Sequence, residues 1–139
     1  MDILLTFTGF HDPYSKGLVD QEEQSGPILS LLKVRTFKHV FLFDAPTTRA
    51  NSGGTKDAIS ALYPECKVHV LGMKLSDPTS YKEIFSGLKQ HAHSIQEEYG
   101  SASFFISVAS GTPQMHACWV LLAASGKIPA KVLHVRPPR

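Results

Sequence analysis

Phe104-Phe105-Ile106-Ser107-Val108-Ala109-Ser110-Gly111-Thr112-Pro113-Gln114-Met115-His116 is an apolar run that breaks at a small polar turn and restarts with helical spacing. It reads as strand, tight loop and helix. A helix start leaves backbone N–H groups without partners and carries partial positive charge, so such a junction suits a phosphate. Ser110 and Thr112 add hydroxyls, Gly111 permits close backbone approach, and Pro113 fits the first helical position. A plainer reading uses the same residues: Thr112 caps the helix and Gly111 makes the turn.

The alternation extends back to the amino terminus. Ile3 to Thr8 is a strand that leads into Gly9 and a polar loop running from His11 to about Ser25. Gly26-Pro27 then opens a short helix whose Ile28, Leu29, Leu31 and Leu32 form a buried face. His39 to Phe43 is continuously apolar and ends at Asp44, as expected of a strand covered on both faces. A helix follows from Asn51 to Tyr63, with Ser52 or Thr55 as its cap and Pro64 as its stop, and Lys67 to Leu71 is a third strand. Tyr81, Ile84, Phe85, Leu88, Ile95 and Tyr99 mark the longest helix. After the fourth strand, Phe104 to Val108, a helix from Pro113 to Ala124 places Met115, Cys118, Trp119 and Leu122 inward, and Lys131 to Val135 is the fifth strand.

This order predicts an α/β, Rossmann-like fold: a mainly parallel sheet of five or six strands with helices on both faces. Ligands in such folds sit beyond the carboxyl ends of the strands, where strand order reverses. The loops Gly9 to Asp12, Asp44 to Arg49 and Ala109 to Gln114 are therefore the candidates. In the first, Phe10 or Tyr14 can stack on a base and His11 can donate to a phosphate or serve acid–base chemistry. In the second, Asp44, Thr47, Thr48 and Arg49 can address ribose or phosphate, or simply form a surface turn. Asn51-Ser52-Gly53-Gly54-Thr55-Lys56 lacks P-loop spacing and reads as a glycine-rich helix entrance.

Composition sets the outer bounds. A chain of 139 residues forms one domain, 1–139, with a core that needs no staple. The net charge of +2 is too small for a general nucleic-acid surface, and no helix-turn-helix is legible, so direct DNA binding by this chain is not expected. No apolar run approaches the roughly 20 residues that span a bilayer, and Met1-Asp2-Ile3-Leu4-Leu5 does not read as a secretory leader. Cys66 and Cys118 form neither a disulfide framework nor a metal set, which suits the cytoplasm. His91-Ala92-His93 places two rings on diverging helical directions, so a solvated face is expected rather than a metal site. Neither G-x-G-x-x-G nor G-x-S-x-G occurs, and no cofactor is expected.

The strand ending in Ser107-Val108-Ala109-Ser110-Gly111-Thr112-Pro113-Gln114-Met115, together with Ile128-Pro129-Ala130-Lys131-Val132-Leu133-His134-Val135-Arg136-Pro137-Pro138-Arg139, resembles a CARF domain, the CRISPR-associated Rossmann fold. More narrowly it is similar to the N-terminal sensor of RtcR-type sigma-54-dependent transcription activators. The resemblance implies a homodimeric ligand-sensing domain that controls an output domain absent from this chain. Its ligand would be a cyclic oligoadenylate, or a short RNA-derived nucleotide with a cyclic phosphate, held through Gly9, Phe10, His11, Ser110, Gly111, Thr112, Pro113 and Gln114. The family's alternative activity is a metal-independent ring nuclease, for which His11, Ser110 and Thr112 would be the working residues. Many CARF domains carry a second glycine and a lysine in the later loop, where this chain has Thr112-Pro113-Gln114.

Overall fold

The computed structural model describes residues 1–15 and 24–133. Its strands are β1 (Asp2–Phe7), β2 (Tyr14–Ser15), β3 (Gln24–Ser25), β4 (His39–Asp44), β5 (Lys67–Gly72), β6 (Ser103–Ser107) and β7 (Ala130–Leu133). Its helices are α1 (Pro27–Val34), α2 (Arg49–Leu62), α3 (Tyr81–Glu98) and α4 (Pro113–Ala124). Five strands form one sheet in the order β5-β4-β1-β6-β7, and every neighbouring pair is parallel. Counting those five alone, the order is 3-2-1-4-5, the arrangement of a Rossmann-like fold.

Residue alternation along the strands divides the core into two layers. Ile3, Leu5 and Phe7 of β1 face the side covered by α3 and α4, where Ile84, Leu88, Ile95, Met115 and Trp119 complete the packing. Leu4, Val40 and Leu42 face the other side, under Ile28, Leu29 and Leu32 of α1 and Ile59 of α2. Trp119 is fully buried against Phe7 and Phe43, so it is a core residue. All six residues of β4 are buried, including His39, whose Nδ1 lies 3.0 Å from Nε2 of His69; Tyr99 packs on the His39 ring and Phe41 stacks on that of His69.

Three details differ from the expectations. The second helix begins at Arg49 with Thr48 in the cap position, so neither Ser52 nor Thr55 caps it. Both lie buried inside the helix instead, because Ser52 Oγ donates to Thr8 Oγ1 at 3.0 Å and Thr55 Oγ1 donates to the Asn51 carbonyl. The polar loop after β1 contains an antiparallel pairing of β2 with β3, too short to leave a periodic signal. His93 is solvated and meets Glu97 at 3.1 Å, but His91 is half-buried edge-on to Phe43 and does not share that solvated face. The expected fifth strand is present through Leu133; its last residues and the carboxyl-terminal prolines lie outside the described residues, as does 16–23 of the polar loop. No helix among the described residues is long and apolar enough to cross a membrane.

Candidate functional site

Strand order reverses between β1 and β6, since the chain builds outward through β4 and β5 and then returns to the other side of β1. Beyond the carboxyl ends of those two strands lies a cavity of about 400 Å³. Thr8, Gly9, Phe10, His11 and Asp12 form one wall, while Ala109, Ser110, Gly111, Thr112 and Met115 form the other. Ala45, Thr47 and Thr48 close a third side, and Pro78 of the β5–α3 loop lies across the end. Thus all three loops singled out in the sequence meet at one cavity. A larger hollow of about 640 Å³ opens at the opposite end of the sheet, but strand-order reversal directs ligands to the carboxyl ends.

Six of the eight candidate contacts line this cavity. Pro113 and Gln114 do not, since they form the first turn of α4 behind it. Phe10 is exposed at the mouth, and His11 Nδ1 lies 3.4 Å from Ser15 Oγ. Tyr14 is exposed and is not part of the wall. Asp44 turns away from the cavity and is buried, with Oδ1 unpaired among the described residues, and Arg49 stays at the surface.

The loop before α4 is closed mostly by its own neighbours. Thr112 Oγ1 accepts from Met115 N at 3.2 Å, the N-cap arrangement, and Thr112 N donates to Met115 Sδ at 3.3 Å. Gly111 adopts φ +102, a left-handed turn that favours glycine. His116 Nε2 lies 2.9 Å from the Ser110 carbonyl; because a carbonyl only accepts, this nitrogen carries the proton. The cap hydroxyl also donates to the Pro78 carbonyl at 3.2 Å, which ties the β5–α3 loop to the site.

The loop after β1 depends on distant partners. Asp12 Oδ2 accepts from Gly9 N at 2.9 Å, while Oδ1 accepts from Ile28 N at 3.2 Å. Asp12 thereby supplies the capping oxygen that Gly26, at the N-cap of α1, has no side chain to give. Asn51 of α2 holds the same loop by donating to the Asp12 carbonyl at 2.9 Å. Gly9 meets the other loop so closely that a Cβ there would stand 3.1 Å from Gly111 N.

Asp12 and Ser110 occupy the contact between the two loops. Both are almost wholly buried. Burial pushes the Asp12 carboxyl above its usual range, opposed in decreasing order by the Gly9 N–H, the Ser110 hydroxyl, the Ile28 N–H and His11. The Ser110 hydroxyl lies near enough to favour the carboxylate, yet among the described residues it completes no hydrogen bond of its own. Asp12, Asn51 and Met115 were not among the candidate contacts. A carboxylate that caps a helix 16 residues downstream leaves no local pattern, and only the position of Asp12 at the end of the searched loop hinted at it.

A parallel 3-2-1-4-5 sheet with this cavity at its point of reversal makes the chain a Rossmann-like α/β domain. Residues 22–139 match the family RtcR, Regulator of RNA terminal phosphate cyclase, and the chain belongs to that family. It is 27% identical over 84 residues to the transcriptional regulatory protein RtcR of Escherichia coli (strain K12), over 60% of this chain and 16% of that protein. The chain thus spans a small part of its curated relative. Among solved structures, Enterococcus italicus Csm6 bound to cyclic hexa-2′-fluoro-hexa-dAMP matches with a TM-score of 0.86 at 18% identity, covering 99% of this chain and 34% of that one. Can2 from Sulfobacillus thermosulfidooxidans, in complex with cyclic tetra-adenylate, matches with a TM-score of 0.68 at 12% identity, covering 98% and 32%. At these identities the likeness establishes the fold.

Proposed function

We propose that this chain is a nucleotide-sensing domain that binds a cyclic oligoadenylate or an RNA-derived cyclic-phosphate end in the cavity between Gly9–Asp12 and Ser110–Thr112, and passes the binding energy to an output domain. The single observation that carries this reading is the cavity's position: it joins the start of α4 to the β1 loop at the strand reversal, in the fold of two proteins solved with cyclic oligoadenylate-type ligands. The sensing unit is a homodimer. In support, the outer face of α4 presents Val120 and Leu121, which are 47% and 57% exposed, and these line a shallow apolar hollow with Ala117 and His116. His116 also holds the Ser110 carbonyl, so that face is continuous with the cavity wall, and two copies joined there would set two cavities around one axis.

Sensing is favoured over ring cleavage because the hydroxyls that cleavage would use are committed or sealed. Thr112 Oγ1 bonds to Met115 N and the Pro78 carbonyl, and the Ser110 hydroxyl is buried. Titration calorimetry with cyclic tetra-adenylate and with a short RNA ending in a 2′,3′-cyclic phosphate tests the reading, with native mass spectrometry for the dimer. One of the two ligands is expected to bind at one ring or two ends per dimer and to be recovered intact. Failure of both to bind an intact dimer would defeat the proposal, and release of a linear product would replace sensing by cleavage.

A further inference from the structure

We infer that the contact between His39 and His69 is an acid-sensitive clasp that pins the edge strand β5 to β4, closed while one of the two facing ring nitrogens is bare and open once both rings are cationic. The clasp sits at the amino-terminal half of these strands, away from the cavity at their carboxyl ends, and it does not depend on the sensing reading above.

β5 is the outermost strand on its side of the sheet, bonded to β4 alone, and its residues are half-buried or exposed where those of β4 are all buried. A stack of rings holds its inner face. Phe41 lies against His69 with centroids 4.4 Å apart and planes 15° apart, His69 lies against His39 at 5.2 Å and 24°, and Tyr99, just past the end of α3, lies against His39 at 4.7 Å. Within that stack His39 Nδ1 and His69 Nε2 stand 3.0 Å apart, and two ring nitrogens at this distance bond only when one donates and the other accepts. A proton added to the donor ring leaves the bond in place. One on each ring sets two N–H groups, both on cations, face to face in a poorly solvated stack, and attraction becomes repulsion.

The surroundings resist that charge. Burial is the first cause that holds both imidazoles below their ordinary range; His69, Lys67 and Lys38 add to it at His39, while Lys56 of α2 and Lys67 add to it at His69. Glu98, the last residue of α3, acts on both rings in the opposite sense, and the face of Phe41 also favours a cation on His69. With folded values below the ordinary imidazole value of about 6.5, the unfolded chain takes up protons first as pH falls. The stability this pair supplies is therefore complete above that value and is lost as pH falls through it toward the folded values.

The test compares the 139-residue wild type with His69→Phe, which keeps a ring for Phe41 to stack on and cannot titrate, by urea denaturation at about pH 7.5 and about pH 5. Asp12 and His91 titrate in both proteins and cancel in the difference. Between the two conditions the folding equilibrium constant of the wild type is expected to fall about tenfold further than that of the variant. Amide exchange, corrected for its intrinsic pH dependence, should show β5 losing protection on acidification before β1 and β6. Long-range proton–nitrogen spectra of the wild type need no variant, and they decide together with exchange if His69→Phe does not fold. They should show one facing nitrogen protonated and its partner bare at neutral pH, and both rings titrating in coupled steps below the ordinary range. Independent titration of the two rings at the ordinary value, parallel urea profiles, or protection lost equally in all five strands would each overturn the clasp.

Discussion

The two loops that face each other across the cavity are built on opposite plans. The loop before α4 takes its main contacts from residues three to six positions away: the Thr112 cap on Met115 N, the Met115 sulfur on Thr112 N, and His116 on the Ser110 carbonyl. The loop after β1 adds to its local Gly9–Asp12 bond contacts from 16 to 44 positions away, through Ile28, Asn51 and the Thr8–Ser52 hydroxyl pair. One loop folds with its helix, while the other exists only once α1 and α2 have docked. Damage to distant residues should therefore disturb the loop after β1 far more than it disturbs the loop before α4.

The largest test of that contrast is Gly26→Ala. A Cβ at this position would stand 2.0 Å from the His11 carbonyl oxygen, and the obstacle is backbone, which cannot rotate away as a side chain would. Overpacking of this kind costs roughly 3 kcal/mol. Urea denaturation should show a loss of that order, and a variant with the wild-type midpoint would mean that the β1 loop is not fixed by α1.

Asp12→Ala should follow at about 2 kcal/mol, because it leaves the Gly9 and Ile28 N–H groups without their acceptor, partly offset by removal of a buried charge. Amide exchange offers the sharper readout. Gly9 and Ile28 should lose protection together although they belong to different elements, and loss at only one of them would break the link between loop and helix.

This contrast also explains what was legible beforehand. The strand–helix alternation, the buried β4 and the inward stripe of α4 were readable, because each is a pattern of neighbouring residues dictated by backbone periodicity. So was the meeting of Gly9 with Ser110 and Gly111, since strand order follows from topology. Asp12 and Asn51 were not identified, because a side chain that bonds a backbone group across the fold leaves no sequence period. Ser52 misled for a related reason. Its hydroxyl suits a cap, but the docking of α2 on Thr8 gave it a buried partner and moved the helix start to Arg49.

A smaller effect is expected at the locally closed loop. Thr112→Ala removes a cap worth about 1 kcal/mol, and Thr112→Ser should restore most of it because the hydroxyl remains. Thermal melts of the two variants measure this directly. A loss from Thr112→Ala larger than that from Asp12→Ala would reverse the comparison and make the loop before α4 the more dependent on tertiary contacts, through its long-range bond to Pro78.

The finest separation is by pH. Of the two loops only the one after β1 buries a carboxylate, and desolvation raises the Asp12 pKa above its ordinary value despite the N–H groups that favour its charge. A folded-state pKa above the unfolded one means that, as pH falls, the folded protein takes up the proton first. Stability attributable to this group therefore rises as pH falls through the folded value, and the gain is complete below the unfolded value. Relative to Asp12→Asn, which does not titrate, the wild type should gain stability between neutral pH and about pH 4. Thr112→Ala should keep a constant offset from the wild type over the same interval, since no titrating group at its cap is removed. Parallel wild-type and Asp12→Asn profiles would show that the Asp12 carboxylate is as well solvated as in the unfolded chain, and the β1 loop would then be open to water where the contacts of Gly9, Ile28 and Ser110 hold it shut.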